Sequence, residues 1–176
     1  MILPVPNNSD YSVEMVFTFF EGINTFRRII DVLGPTPDFG FYVNVSNQLD
    51  LFTTGGAAGG VTLANGEFHH VVLTNSGTVV KAYHDGMEEF TTTTMVMNID
   101  YPGNPMNLMN FFIDDGGESS DGQVALINLY TGVLTLNDVE LLAADPFAII
   151  PEPTTILLLG SGLAGLVAWR MRKGRA

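Results

Sequence analysis

The chain has 176 residues, with 19 acidic against 7 basic side chains, a formal charge of −12 and no cysteine. Four of the bases (Arg170, Arg172, Lys173 and Arg175) crowd the chain end, so residues 1–153 carry 3 basic against 19 acidic residues, a net of −16. Such a charge is repelled by phosphate backbones and argues against nucleic-acid binding. The missing thiols exclude disulfides, thiol catalysis and Cys-type metal centres.

Residues 2–6, with two prolines in five positions, offer a minimal edge strand at most. Residues 11–19 alternate, with Tyr11, Val13, Met15, Phe17 and Phe19 on one face and Ser12, Glu14 and Thr18 on the other, the signature of a half-buried strand. Strands are predicted over 27–32, 39–45 and 48–52, with a proline-rich turn at 33–38. A glycine-rich loop is expected over 53–60 and a short strand over 61–63. The most strongly patterned strand, 68–74, turns through Asn75-Ser76-Gly77 and returns over 78–84 to a second turn at Asp85-Gly86. Residues 88–94 read as a polar edge strand or loop, 107–113 and 123–130 as strands, and 114–122 as an acidic loop. Thr135 or Asn137 is placed to cap a short helical turn before 142, and almost nothing else reads as helix. Many short strands with turn signals at short intervals predict an all-β sandwich or jelly roll over residues 1–145, followed by a linker at 146–150.

The last 26 residues are different in kind. Pro151-Glu152-Pro153 forms a rigid break, because proline fixes φ and removes a donor. Residues 154–169 carry no charge and would span roughly 24 Å as a helix, near the lower limit for crossing a membrane. Trp169 and the cluster Arg170, Arg172, Lys173 and Arg175 follow, where an interfacial aromatic and a stop-transfer sequence belong. The positive-inside rule keeps that cluster cytoplasmic and places residues 1–153 across the membrane.

This order of triplet, apolar run and basic cluster resembles the PEP-CTERM protein-sorting signal of Gram-negative bacteria. The resemblance implies recognition by an exosortase, removal of the tail near Pro151, Glu152 and Pro153, and delivery from the inner membrane to the cell surface or an exopolysaccharide matrix. An exported protein needs a basic and then apolar leader, and residues 1–8 have neither. The expectation is therefore that Met1 is not the natural start, and that a leader and one further strand, pairing near 123–130, precede it.

The residues before the tail resemble the LamG-like, concanavalin A-like jelly-roll superfamily. The likeness rests on residues 67–74, on residues 79–86 ending in Tyr83-His84-Asp85-Gly86, and on residues 121–130 with Gly132, Leu134 and Asp138. Asn128 departs from the pattern by standing where the family often has an arginine, which removes a usual structural ion pair. The resemblance implies a concanavalin A-like β-sandwich, followed here by one C-terminal transmembrane helix.

Three groups carry candidate chemistry. Asp114, Asp115 and Asp121 lie in a glycine-containing loop, and closely spaced carboxylates supply the hard oxygens that Ca²⁺ takes, so Ca²⁺ is the expected cofactor. Asp31 and Asp38 flank the proline-rich turn and are placed to join such a rim site or to cap the turn. His69 and His70 are neighbours on a strand and point to opposite faces, so they cannot chelate one ion together; one packed and one surface histidine are expected. No paired-glutamate signature of the jelly-roll glucanases occurs, and Glu88 and Glu89 point apart if extended, so no catalytic residue is assigned. Tyr42, Tyr83 and Tyr101 are equally placed to be sugar platforms or core. The reading is a non-enzymatic, exported surface or matrix protein. It meets exosortase and the membrane, and extracellular polysaccharide is its expected ligand. A secreted glycan hydrolase of the same superfamily and a purely structural adhesin module are the alternatives.

Overall fold

The alternation in residues 11–19 is the template on which the sandwich is built. The computed structural model describes residues 2–4, 9–22, 25–32, 39–53, 56–100, 108–113 and 117–147. The chain divides into two compact units, Met1–Pro146 and Phe147–Ala176, and the architecture below is that of the first.

The described residues form eleven strands and one helix: β1 (Ile2–Pro4), β2 (Asp10–Phe19), β3 (Arg27–Asp31), β4 (Gly40–Val43), β5 (Gln48–Phe52), β6 (Ala57–Thr62), β7 (His69–Ser76), β8 (Val79–His84), β9 (Met87–Thr93), β10 (Leu108–Phe111), β11 (Gly122–Thr131) and α1 (Leu136–Ala144). They make a six-stranded sheet in the order β1-β10-β3-β4-β5-β6 and a five-stranded sheet in the order β11-β2-β7-β8-β9. Every pairing is antiparallel.

Tyr11, Val13, Met15, Phe17 and Phe19 face inward from β2. They meet Ile29, Phe41, Val43, Leu49, Leu51, Met109 and Phe111 of the other sheet in one buried cluster. Phe17, Phe19 and Phe112 pack edge to face at centroid distances of 5.3 to 6.1 Å, and Phe41 meets Phe90 across the sandwich at 6.3 Å. The outer face of β2 is also buried, which alternation alone does not predict. Thr135 caps α1 through a capping box with Asp138, and Val139 packs on Val72 and Tyr83 of the five-stranded sheet. The helix thus covers a face that would otherwise be wet.

Three expectations change. Residues 57–60, read as loop because of their glycines, pair with β5 as the first part of β6. The unpaired edge of β5 supplies a ladder that outweighs the low strand preference of glycine. Ile2–Pro4 is an edge strand on β10 in the six-stranded sheet, not beside β11. Proline is tolerated there, at the end of an edge strand. His70 is buried like His69, since β11 and β7 flank Glu14 and enclose the outer-face polar groups.

Candidate functional site

Two polar constellations and one rim cavity stand out. The first constellation lies at one end of the sandwich, on the inner face of β7 and β8. The β7–β8 register sets Val71 opposite His84, so His69 is the diagonal neighbour of His84 on the same face. His69 Nδ1 lies 3.0 Å from His84 Nε2, and His69 Nε2 donates to the Ala64 carbonyl at 2.8 Å. Asp85 and Gly86 both have positive φ, 48° and 85°, and form the tight turn between β8 and β9. This conformation folds the Asp85 carboxylate back to 3.3 Å from His84 Nε2, while its other oxygen accepts from the His70 backbone N–H at 3.1 Å.

A β-bulge completes the group. Ala82 pairs with Phe90 and Tyr83 with Glu88, leaving Glu89 as the extra residue. The bulge re-aims Glu89 away from its neighbour Glu88 and toward His84. Glu89 Oε2 accepts from the backbone N–H groups of Gly60 and Val61 at 2.9 and 3.1 Å, and Oε1 lies 4.0 Å from His84 Nδ1. A Cβ at Gly59 would approach that same Oε2 to 2.6 Å, so only glycine leaves the carboxylate its seat. Burial pushes the His84 imidazole below its ordinary range. The Asp85 carboxylate opposes this shift and the His69 ring adds to it.

The second constellation is on the outer face of the five-stranded sheet. Glu14 is fully buried and accepts from His70 Nε2 at 3.1 Å, Asn128 Nδ2 at 2.9 Å and the Tyr130 hydroxyl at 2.7 Å. Burial alone would raise the Glu14 carboxyl, but these three donors outweigh it and hold it below the ordinary carboxylate range. Burial and the bond to Glu14 push the Tyr130 phenol upward. Asn128 therefore still serves the buried carboxylate, through a neutral donor in place of an ion pair.

The rim cavity has a volume of about 290 Å³ and is lined by Glu21, Ser119, Ser120 and Asp121. Phe20, half exposed, precedes Glu21 in the chain and donates its backbone N–H to the Asp121 carbonyl at 2.9 Å.

Of the residues singled out in the sequence, Asp121 is exposed in this rim, while Asp114 and Asp115 lie outside the described residues. Asp31 is buried and paired with Arg28 at 3.5 Å, and Asp38 lies outside the described residues. Tyr42 and Tyr83 are buried and cannot serve as platforms, and Tyr101 is outside the described residues. Pro151, Glu152, Pro153, the 154–169 run, Arg170, Arg172, Lys173 and Arg175 also lie outside them. Among the described residues no helix is long and apolar enough to cross a membrane. The His69–His84 pairing was missed in the sequence. Counting outward from the Asn75-Ser76-Gly77 turn, which brings 71 opposite 84, is the signal that would have found it.

Comparison with known proteins bears on both parts of the chain. The profile of a concanavalin A-like lectin/glucanases superfamily family matches residues 3–140, and that of the PEP-CTERM protein-sorting motif matches 150–173. No curated protein matches. Among solved structures, domain 4 of a GH43 extracellular arabinanase from Geobacillus stearothermophilus, in complex with arabinotriose, is similar with a TM-score of 0.59 and 17% identity, over 79% of this chain and 68% of that one. A Trypanosoma rangeli sialidase is similar with a TM-score of 0.60 and 16% identity, over 76% of this chain. A Bacteroides ovatus protein described as a putative carbohydrate binding protein is similar with a TM-score of 0.59 and 13% identity, over 75% of this chain. The chain spans 22% of the sialidase and 40% of the Bacteroides protein. At these identities the likeness is one of fold.

Proposed function

The chain belongs to the concanavalin A-like lectin/glucanases superfamily and carries a PEP-CTERM sorting motif, and from this premise we propose that it is an exported, non-catalytic glycan-binding or matrix-packing module. The observation that carries the reading is the coupling of a lectin-type sandwich at 3–140 to a sorting motif at 150–173 in one short chain. Exosortase is the processing partner, acting near Pro151, Glu152 and Pro153. The 154–169 segment is the membrane stage of the route, and the Gram-negative surface or its polysaccharide matrix is the destination.

The binding role is favoured over catalysis by how the two adjacent glutamates are used. Glu88 is engaged by Lys81 and Thr91 at 2.9 and 2.5 Å on the exposed side, and Glu89 is seated on the Gly60 and Val61 amides. Neither is free to act as one member of a facing acid and nucleophile pair. The rim of Phe20, Glu21, Ser119, Ser120 and Asp121 is the proposed glycan contact. Ca²⁺ held by Asp114, Asp115 and Asp121 is its proposed ion, on the strength of their spacing and of the hard oxygens they offer.

A glycan array run with and without a chelator tests the role, together with reducing-sugar release from matrix polysaccharide. Binding that falls in Phe20→Ala, without sugar release, is the expected result. Release of reducing sugar overturns the non-catalytic reading, and no binding to any glycan leaves the structural module in its place. Intact mass of the surface form from an exosortase-positive host tests the route; a mature protein that keeps Trp169 and the arginine cluster refutes it.

A further inference from the structure

We propose that His69, His84 and Asp85 form a binding site for one divalent transition-metal ion of the zinc class, distinct from the acidic rim. The three ligand atoms lie within 4.8 Å of one another. The Ala64 carbonyl can only accept, so the 2.8 Å contact fixes the proton on His69 Nε2 and leaves Nδ1 with a bare lone pair facing His84 Nε2 at 3.0 Å.

On the far side of the His84 ring, Nδ1 faces the Glu89 carboxylate at 4.0 Å, and an ionised carboxylate also only accepts. The nearer acceptors, His69 Nδ1 at 3.0 Å and the Asp85 carboxylate at 3.3 Å, hold the His84 proton on Nε2; when a cation takes its place, Nδ1 beside Glu89 is where the ring carries its proton. Two imidazole nitrogens and a carboxylate oxygen, at 3.0 and 3.3 Å, thus converge on one point, where a cation can replace the single proton that joins the two rings.

The dimensions fit a metal. Bonds of about 2.05 Å in tetrahedral geometry set ligand atoms about 3.3 Å apart. Asp85, with a side chain 62% exposed, can swing to close the longest edge. Two imidazoles and one carboxylate select zinc-class ions over Ca²⁺ or Mg²⁺, which prefer oxygen alone.

The outer shell is in place too. A metal-bound histidine ordinarily gives its second N–H to a carbonyl or a carboxylate. His69 gives it to Ala64, and His84 faces Glu89, which is itself fixed by two backbone amides and by the absence of a side chain at Gly59. An ion at this site clips β7 to the β8–β9 turn and, through Ala64, to the segment after β6. In a chain without cysteine it supplies the staple that disulfides give other exported domains.

The test uses the full chain in detergent, stripped with a chelator and re-equilibrated with ZnCl₂ or CoCl₂ at neutral pH. Bound metal is counted by mass spectrometry, and the Co²⁺ form is read by its visible absorption. We expect one Zn²⁺ per chain and tetrahedral Co²⁺ bands, both lost in His84→Gln. Asp85→Asn tolerates the left-handed turn, so it keeps the fold while removing the anionic ligand, and should weaken binding. Glu89→Gln should weaken it roughly 10–100-fold. Asp121→Asn should leave it unchanged, which separates this site from the proposed Ca²⁺ rim and from the glycan reading. Zinc uptake by the folded wild type no greater than that of Asp85→Asn and His84→Gln overturns the proposal, since a proton alone then bridges the nitrogens. Displacement of Zn²⁺ by equimolar Ca²⁺ overturns the class of metal.

Discussion

Replacing Glu14 with leucine should be among the most costly single changes outside the apolar core. The carboxylate is fully buried and serves three donors. Leucine removes the acceptor and keeps the volume. His70 Nε2–H, itself buried, then loses its partner in a place water does not reach, at about 1–3 kcal/mol. Tyr130 and Asn128 are only half-buried and recover part of their bonding from solvent, so about 0.5–1.5 kcal/mol is lost at each. Set against a gain of about 1–2 kcal/mol from burying leucine, the net is about 1–4 kcal/mol. For a folded unit of this size each kcal/mol moves the melting temperature by about 2–4 °C. Urea unfolding of the full chain in detergent should show a lower midpoint with an unchanged slope.

Glu14→Gln keeps one acceptor oxygen and should lose about half as much. The pH dependence gives an independent check. The Glu14 pKa is lower in the folded state than in the unfolded one. Its contribution is therefore complete above the unfolded value, near 4.3, and is lost as pH falls through the folded value. Glu14→Gln should flatten that part of the acid limb. A Glu14→Leu protein with the wild-type urea midpoint would refute the reasoning, because the three donors would then have alternatives in the fold.

The other predictions rest on packing. Gly59→Ala drives a methyl group to 2.6 Å from Glu89 Oε2 and should cost about 1–3 kcal/mol, with less than additive loss in the Gly59→Ala/Glu89→Ala double variant by urea titration. Thr135→Ala removes the N-cap of α1 and should cost about 1 kcal/mol in the same assay; hydrogen exchange should rise first in the helix that covers Val72 and Tyr83. Phe17→Ala empties the centre of the Phe17, Phe19 and Phe112 cluster and should cost about 3–5 kcal/mol by thermal melting.

The amino-acid order alone determined the elements whose signal is local. Period-two alternation in residues 11–19 fixes which side chains face the core, because successive strand residues point to opposite faces whatever the strand pairs with. The Asp85-Gly86 turn and the Thr135 cap follow from backbone chemistry within four residues. The tail is legible because proline, an uncharged run and arginine act through composition, without any partner.

What depends on neighbours distant in sequence was decided by the tertiary structure. Ala57–Thr62 becomes a strand because β5 offers an open ladder to it. His70 is buried because β2, β7 and β11 bring Glu14 and Asn128 around it from 56 and 114 positions apart in the hydrogen-bonded pairs. His69 meets His84 only through a hairpin register, and Glu89 turns toward them only because a bulge adds one residue to β9. Such convergence follows from pairing and register, which propensity and spacing along the chain do not encode.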